Sequence, residues 1–261
     1  MTKYIFCLGA GRSGTGYLGH VLNLNLPKEK THFQERGLNF GKEIPDLSTL
    51  LSYNFNTDEL AKKFWEQKIK DIKSIECDYY VEINPMLLHV GLSYIFEAFK
   101  PEDLKIIVLQ REFFDIIHSY HKRFDLAKIE NQWLWYLDPT YPRNIIDFPR
   151  YKPFGLHGTR LWYIHEAYTR IEYYKQKYTK NKFFEIDLSE LTYNPDKLKE
   201  LLEFIGYTPE KLTIDTNIVN KQDFGVMLFD KDRDQISEMI EAIEWDKESL
   251  AKRALKVGVE L

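Results

Sequence analysis

Hydrophobic and polar residues follow two rhythms along this chain, and the rhythms change places several times. "KYIFCLG", residues 3–9, is a short apolar run that suits a buried strand, and a helix is expected to begin near Thr15. "DELAKKFWEQKIKDI" carries apolar residues at helical spacing, "YYVEIN" is strand-like, and a second helical segment is expected from Pro85 to about Phe99. "LKIIVLQ", Leu104 to Gln110, is a run of branched apolar residues, which suits a strand covered on both faces at the sheet centre. A helix from about Phe114 to Arg123 follows, then an aromatic, turn-rich stretch from Asn131 to Gly158 without a steady period. That stretch reads as a long functional loop or a small subdomain. A long helix from about Thr159 to Tyr178, the strand "KFFEIDL" and the helix "NPDKLKELLEFIG" complete the alternation. Strands alternating with helices predict an α/β fold, a central parallel sheet flanked by helices. Neither linker nor repeat interrupts it, so 1–261 reads as a single domain, with 131–158 as an insertion and 230–261 as a helical C-terminal segment.

Composition narrows the picture. With 261 residues, 44% hydrophobic, 15% aromatic and 29% charged, the chain can bury one sizeable core and is expected to be globular. The start "MTKYIFCLGAG" lacks a secretory pattern and no run approaches the roughly 20 apolar residues of a membrane span, so a cytoplasmic location without membrane contact is the expectation. Cys7 and Cys77 both lie in apolar or strand-like surroundings and read as free thiols rather than as a disulfide or a metal site. A net charge of -4 gives no global attraction to nucleic acid, so any anion site must be local.

One stretch supplies such a site. "CLGAGRSGTGYLGHVL", Cys7 to Leu22, lies between the first strand and the first helix and holds five glycines, an arginine, a serine and a threonine. Glycines let the backbone curl with its amide hydrogens inward, and a helix N-terminus adds partial positive charge, so the loop is built to hold phosphate; a tight glycine turn without a ligand is the plain alternative. The nucleotide triphosphatase loop, G-x-x-x-x-G-K-[ST], needs a lysine where Thr15 stands. The dinucleotide pattern G-x-G-x-x-G fits Gly9, Gly11 and Gly14, but Glu29 and Glu35 lie in a segment that does not read as a second strand.

"GRSGTGYL" resembles the phosphosulfate loop of the sulfotransferase family, which cradles 3′-phosphoadenosine-5′-phosphosulfate (PAPS). "LKIIVLQREFFDIIHSYHKRF" resembles the family's second signature, a buried strand ending in arginine, here Arg111, with a serine eight residues later, here Ser119. "YYVEINPML" resembles the E-K-T-P turn of carbohydrate sulfotransferases through Glu82 and Pro85, and "KNKFFEIDLSELTYNPDKLKELLEFIGY" resembles the late strand, turn and packing helix. "NKQDFG" stands where the family has a basic loop closing over the adenosine, with Lys221 as its contact. The resemblance covers most of the first 230 residues and is nearer to carbohydrate, tyrosyl-protein and bacterial types than to cytosolic histidine-base types. It implies a P-loop-containing nucleoside triphosphate hydrolase-like fold.

The resemblance also implies roles. Gly11, Arg12, Ser13, Gly14, Thr15 and Gly16 would hold the 5′-phosphosulfate, Tyr17 would stack on adenine, and Arg111, Ser119 and Lys221 would take the 3′-phosphate. Arg12 would also stabilise charge growing on the leaving oxygen, and no metal is implied. For the base that takes the acceptor's proton, Glu35, His32 and Glu82 stay open, Glu35 matching best. Three positions depart from the family: Gly16 replaces a second threonine, Ile83 the E-K-T-P lysine, and Asn84 the histidine of cytosolic members. The acceptor is expected to be a carbohydrate or another hydroxylated small molecule, held by the aromatics of 131–158 with Arg143, Arg150, Lys152 and Arg160. The residues leave a small-molecule kinase and a catalytically silent nucleotide-binding protein open as alternatives, and say nothing of oligomeric state.

Overall fold

The computed structural model describes residues 2–34, 40–122, 136–216 and 230–261. Five parallel strands form the sheet: β1 (Lys3–Leu8), β2 (Thr31–Gln34), β3 (Tyr79–Glu82), β4 (Leu104–Gln110) and β5 (Lys182–Asp187), in the order β2-β3-β1-β4-β5. The α/β class expected from the alternation is the one observed. Its centre is β1 and not β4, which lies one place out. The segment around Thr31–Gln34, which the sequence does not mark as a strand, pairs with β3 as an edge, Gln34 opposite Glu82.

Both faces of the sheet are covered. Phe6 and Leu8 of β1 point to one core while Ile5 and Cys7 point to the other, and β4 splits Ile106 and Val108 from Ile107 and Leu109 in the same way. That period of two inside an unbroken apolar run is what burial on both faces requires. The larger core lies against α3 (Glu59–Ser74), α4 (Ser93–Ala98), α5 (Phe113–His121), α6 (Gly155–Lys177), α9 (Asp230–Ala242) and α10 (Lys247–Lys256). On the other face lie α1 (Thr15–Asn25), α7 (Leu188–Tyr193) and α8 (Pro195–Ile205), while α2 (Leu47–Asn54) packs on α3. The helix expected over Pro85–Phe99 is broken in two: a 3-10 turn, Pro85–His89, gives way to α4 through Gly91 at φ 72°.

The aromatic stretch before α6 is no free loop in its described part, 136–158. Tyr136, Leu137, Tyr141, Ile145, Ile146 and Tyr151 are all buried in the larger core. Glu166 of α6 accepts hydrogen bonds from the amides of Ile145 and Ile146, at 3.1 and 2.9 Å, and pairs with Arg170 at 2.7 Å. Arg170 in turn donates to the Arg143 carbonyl at 3.2 Å. A buried carboxylate and guanidinium therefore satisfy the backbone of a segment without a ladder of its own.

Candidate active site

The loop between β1 and α1 turns twice through the left-handed region, at Arg12 (φ 68°) and at Gly14 (φ 100°). Gly14 is the N-cap of α1 and offers no side chain to the helix end, so the first-turn amides face outward with the helix dipole behind them. The Ser13 amide donates to the Ala10 carbonyl at 3.2 Å, while its hydroxyl is buried with no hydrogen-bond partner. An orphaned donor beneath a curled loop at a helix N-terminus fits an anion.

Two residues about a hundred positions away complete the loop. Leu8 pairs with Val108, so Arg111 leaves the end of β4 beside the loop and donates to the Arg12 carbonyl at 3.1 Å. Ser119 of α5 accepts from Nε of Arg12 at 3.0 Å. Arg111 also lies 3.7 Å from Asp115, one helical turn on. Arg12, Arg111 and Ser119, expected to share one ligand, thus meet at one end of the sheet, the carboxyl ends of its strands, where α/β folds hold their ligands. The strand order excludes the dinucleotide alternative, because β3 stands between β1 and β2.

Other expected residues lie elsewhere. Tyr17 is buried in the smaller core and its hydroxyl donates to the Asp215 carbonyl at 2.5 Å, so its ring is packed rather than open to adenine. His32 pairs in register with Tyr80, and Tyr80 with Tyr4, which puts it four residues, roughly 13 Å, below the level of Leu8. Its ring stacks on Tyr80 with centroids 5.6 Å apart, and the structure does not bring it to the loop. Glu82 is 1% exposed, with Lys68 Nζ 2.9 Å from Oε1 and the Tyr80 hydroxyl donating to Oε2 at 2.8 Å. Both carboxylate oxygens are thus engaged within the protein, and the side chain is closed off from a substrate. Its ion-pair partner is Lys68, neither Arg12 nor Arg111. Glu35 and Lys221 lie outside the described residues.

Of the four cations expected to meet the acceptor, Arg143 is buried, bonded to Asp58 and to the Glu260 carbonyl, with its guanidinium 4.1 Å from the Tyr53 ring centre. Arg160 is 1% exposed. Those two belong to the core, while Arg150 and Lys152 are on the surface. Sequence analysis passed over Lys68; the signal that could have found it is its place on the apolar stripe of α3 with Ala61, Phe64, Trp65 and Ile72, where a cation needs a buried partner. Tyr120, Tyr163 and His89, which touch the loop from beneath or back those that do, gave no such signal. Among the described residues no cluster of three or more metal-ligating side chains occurs, and no helix is long and apolar enough to cross a membrane.

A parallel sheet whose first strand runs into a glycine-rich loop at a helix N-terminus, with an arginine and a serine brought to it by the fourth strand and its helix, defines a P-loop-like α/β protein. The chain has the fold of a sulfotransferase from Alicyclobacillus acidocaldarius: the two superpose with a TM-score of 0.56 over 98% of this chain and 96% of that one, at 12% identity. A mouse sulfotransferase, SULT7A1, complexed with PAP aligns over 94% of this chain and 68% of that one at 14% identity, but its TM-score of 0.42 is too low to carry an argument. No family model and no curated protein matches the sequence.

Proposed function

We propose that this chain transfers a sulfuryl group from PAPS to an acceptor hydroxyl. The observation that carries the reading is the meeting of Arg12, Arg111 and Ser119, with contacts of 3.0 and 3.1 Å, at a loop whose glycine gives the helix end no side-chain cap. One arginine at such a loop suits any phosphate; a second, with a hydroxyl, suits a donor carrying charge at both its 5′ and 3′ ends. The loop amides and the hydroxyls of Ser13 and Thr15 hold the 5′-phosphate, and Arg111 and Ser119 take the 3′-phosphate.

Lys221 closes over the adenosine in this reading. The described chain leading to it is tied to α1 first at Asn25, by Thr213, and then at His20 and Tyr17, by Asp215, so it runs towards the loop end of that helix. The acceptor oxygen forms the new S–O bond as the bond from sulfur to the bridging oxygen breaks, and the electron pair leaves with the 5′-phosphate. Arg12 neutralises the charge that builds there. We assign the acceptor's proton to Glu35, which directly follows the last residue of β2, since Glu82 is engaged by Lys68 and His32 lies low on the sheet. A carbohydrate or hydroxylated metabolite, met by the exposed Arg150 and Lys152, is the acceptor class, and the two free cysteines suit a cytoplasmic setting.

Calorimetry tests the donor. 3′-Phosphoadenosine-5′-phosphate should bind at least about tenfold more tightly than adenosine monophosphate, the worth of one charge-assisted phosphate contact. Equal affinities would remove Arg111, Ser119 and Lys221 from the 3′-phosphate. A library of hydroxylated acceptors with sulfur-labelled PAPS then names the second substrate, and the absence of labelled product across all classes would overturn transfer.

A further inference from the structure

The loop is gripped from beneath by two phenols and a histidine that the proposed reaction does not use. The Gly11 amide donates to the Tyr163 hydroxyl oxygen at 3.4 Å, and that oxygen lies 3.3 Å from His89 Nε2. Tyr163 and His89 thus share one hydrogen bond in which either can be the donor, and among the described residues it is the one polar contact of the His89 ring, whose Nδ1 is buried without a partner. His89 is 1% exposed, and burial, aided by the charge of Arg170, pushes its pKa down to about 3, so the ring is neutral. From the other side the Tyr120 hydroxyl donates to the Gly11 carbonyl at 2.6 Å. A Cβ at Gly11 would come within 2.6 Å of that hydroxyl, so the grip leaves no room for a side chain. Immediately after this held residue comes Arg12, whose left-handed backbone is unfavourable for a residue with a side chain.

We propose that Tyr120 and Tyr163, with His89 behind Tyr163, are positioning residues: by holding both peptide groups of Gly11 they keep Arg12 left-handed, its guanidinium beside Ser119. The proposal rests on the reading of the loop as a phosphate cradle. Released from the clamp, Arg12 would relax to an ordinary conformation and carry its side chain off the ligand path.

A double-mutant cycle on the full chain tests it, with the dissociation constant of 3′-phosphoadenosine-5′-phosphate as readout. Tyr163→Phe should weaken binding about tenfold in the wild-type background and less than about twofold when Arg12 is already alanine, because the tyrosine acts through the arginine. An equal loss in both backgrounds, or none in the wild type, overturns the proposal. His89→Leu should reproduce the loss, whereas His89→Gln, whose amide can keep the hydrogen bond to the Tyr163 hydroxyl in either direction, should stay within about threefold of wild type. Circular-dichroism melting of each variant separates unfolding from loop release, and Tyr120→Phe, which leaves His89 in place, substitutes for any variant that melts early. Adenosine triphosphate is titrated in parallel. A protein that binds it in place of the bisphosphate refutes sulfuryl transfer while the same cycle still decides the clamp; one that binds neither refutes both.

Discussion

Lys68 and Glu82 are 3% and 1% exposed, and their charges stand 2.9 Å apart at the carboxyl end of the sheet. Dehydrating both is unfavourable, and the pair persists because each compensates the other, with the Tyr80 hydroxyl on the second carboxylate oxygen and the Glu43 carbonyl accepting from the lysine at 3.0 Å. Removing one partner is therefore worse than removing both. Lys68→Met should lower unfolding free energy by about 3–5 kcal/mol, and adding Glu82→Gln should recover most of it. Urea denaturation of the three proteins measures this; a double variant no more stable than Lys68→Met would show that the pair is not an isolated compensation. Such residues mark how far single positions were legible. The lysine on the apolar stripe of α3 was missed, although its spacing calls for a buried partner; the identity of that partner required the register that brings β3 under that helix. The loop residues Arg12, Arg111 and Ser119 were legible because their chemistry is local to two short motifs, whereas the clamp residues Tyr120 and Tyr163 look like ordinary core aromatics until the loop is seen above them.

Helix α6 shows the same limit at the scale of an element. Its residues are buried on nearly every side, from Leu161 to Tyr174, so the amphipathic signal that marks α3 and α8 is missing and only length and composition reveal it. What fixes its entry is contact. A Cβ on Gly158 would stand 1.9 Å from the Tyr151 carbonyl oxygen, backbone that cannot swing aside as a side chain would. Helix propensity alone predicts that Gly158→Ala gains about 1 kcal/mol. The clash predicts a net loss of about 1–3 kcal/mol, through displacement of the segment that Glu166 and Arg170 hold. Differential scanning calorimetry distinguishes the two by sign, and a raised melting temperature would show that the 136–158 segment yields. That segment read as a loop because it lacks a period; its order comes from a carboxylate and a guanidinium on a different element. The edge strand β2 was missed for a related reason: four half-buried residues, Thr31–Gln34, carry too little alternation to declare a strand until β3 is beside them.

At the scale of the molecule, the class of the sheet was legible but the order of its strands was not, since β1 and β4 are equally apolar and their places depend on where distant helices cross. Packing of α6 through the middle of the larger core has a measurable consequence. It buries His165, and together with the turn after β3 it buries His89; in both cases burial pushes the pKa down to about 3. In the unfolded chain each would titrate near 6.5. As pH falls below about 6.5 the unfolded state binds protons that the folded state refuses, so stability is fully present above that value and is lost progressively towards pH 3. Each histidine contributes a slope of up to about 1.4 kcal/mol per pH unit, or about 2 kcal/mol lost by pH 5, well before most carboxylates protonate. Urea midpoints at pH 7, 6 and 5 should fall accordingly. His165 accepts or donates through Nδ1 to the Tyr151 hydroxyl at 2.8 Å and stacks on Trp245 with centroids 4.5 Å apart. In His165→Asn the amide can keep the first contact without titrating, so the pH slope should shrink by about one proton's worth while the share from His89 remains. A variant with the wild-type slope would mean that the acid sensitivity arises elsewhere. With His89 hydrogen-bonded to the tyrosine beneath the glycine-rich loop and His165 stacked on Trp245, acid would then loosen the core along the helix that also carries Tyr163.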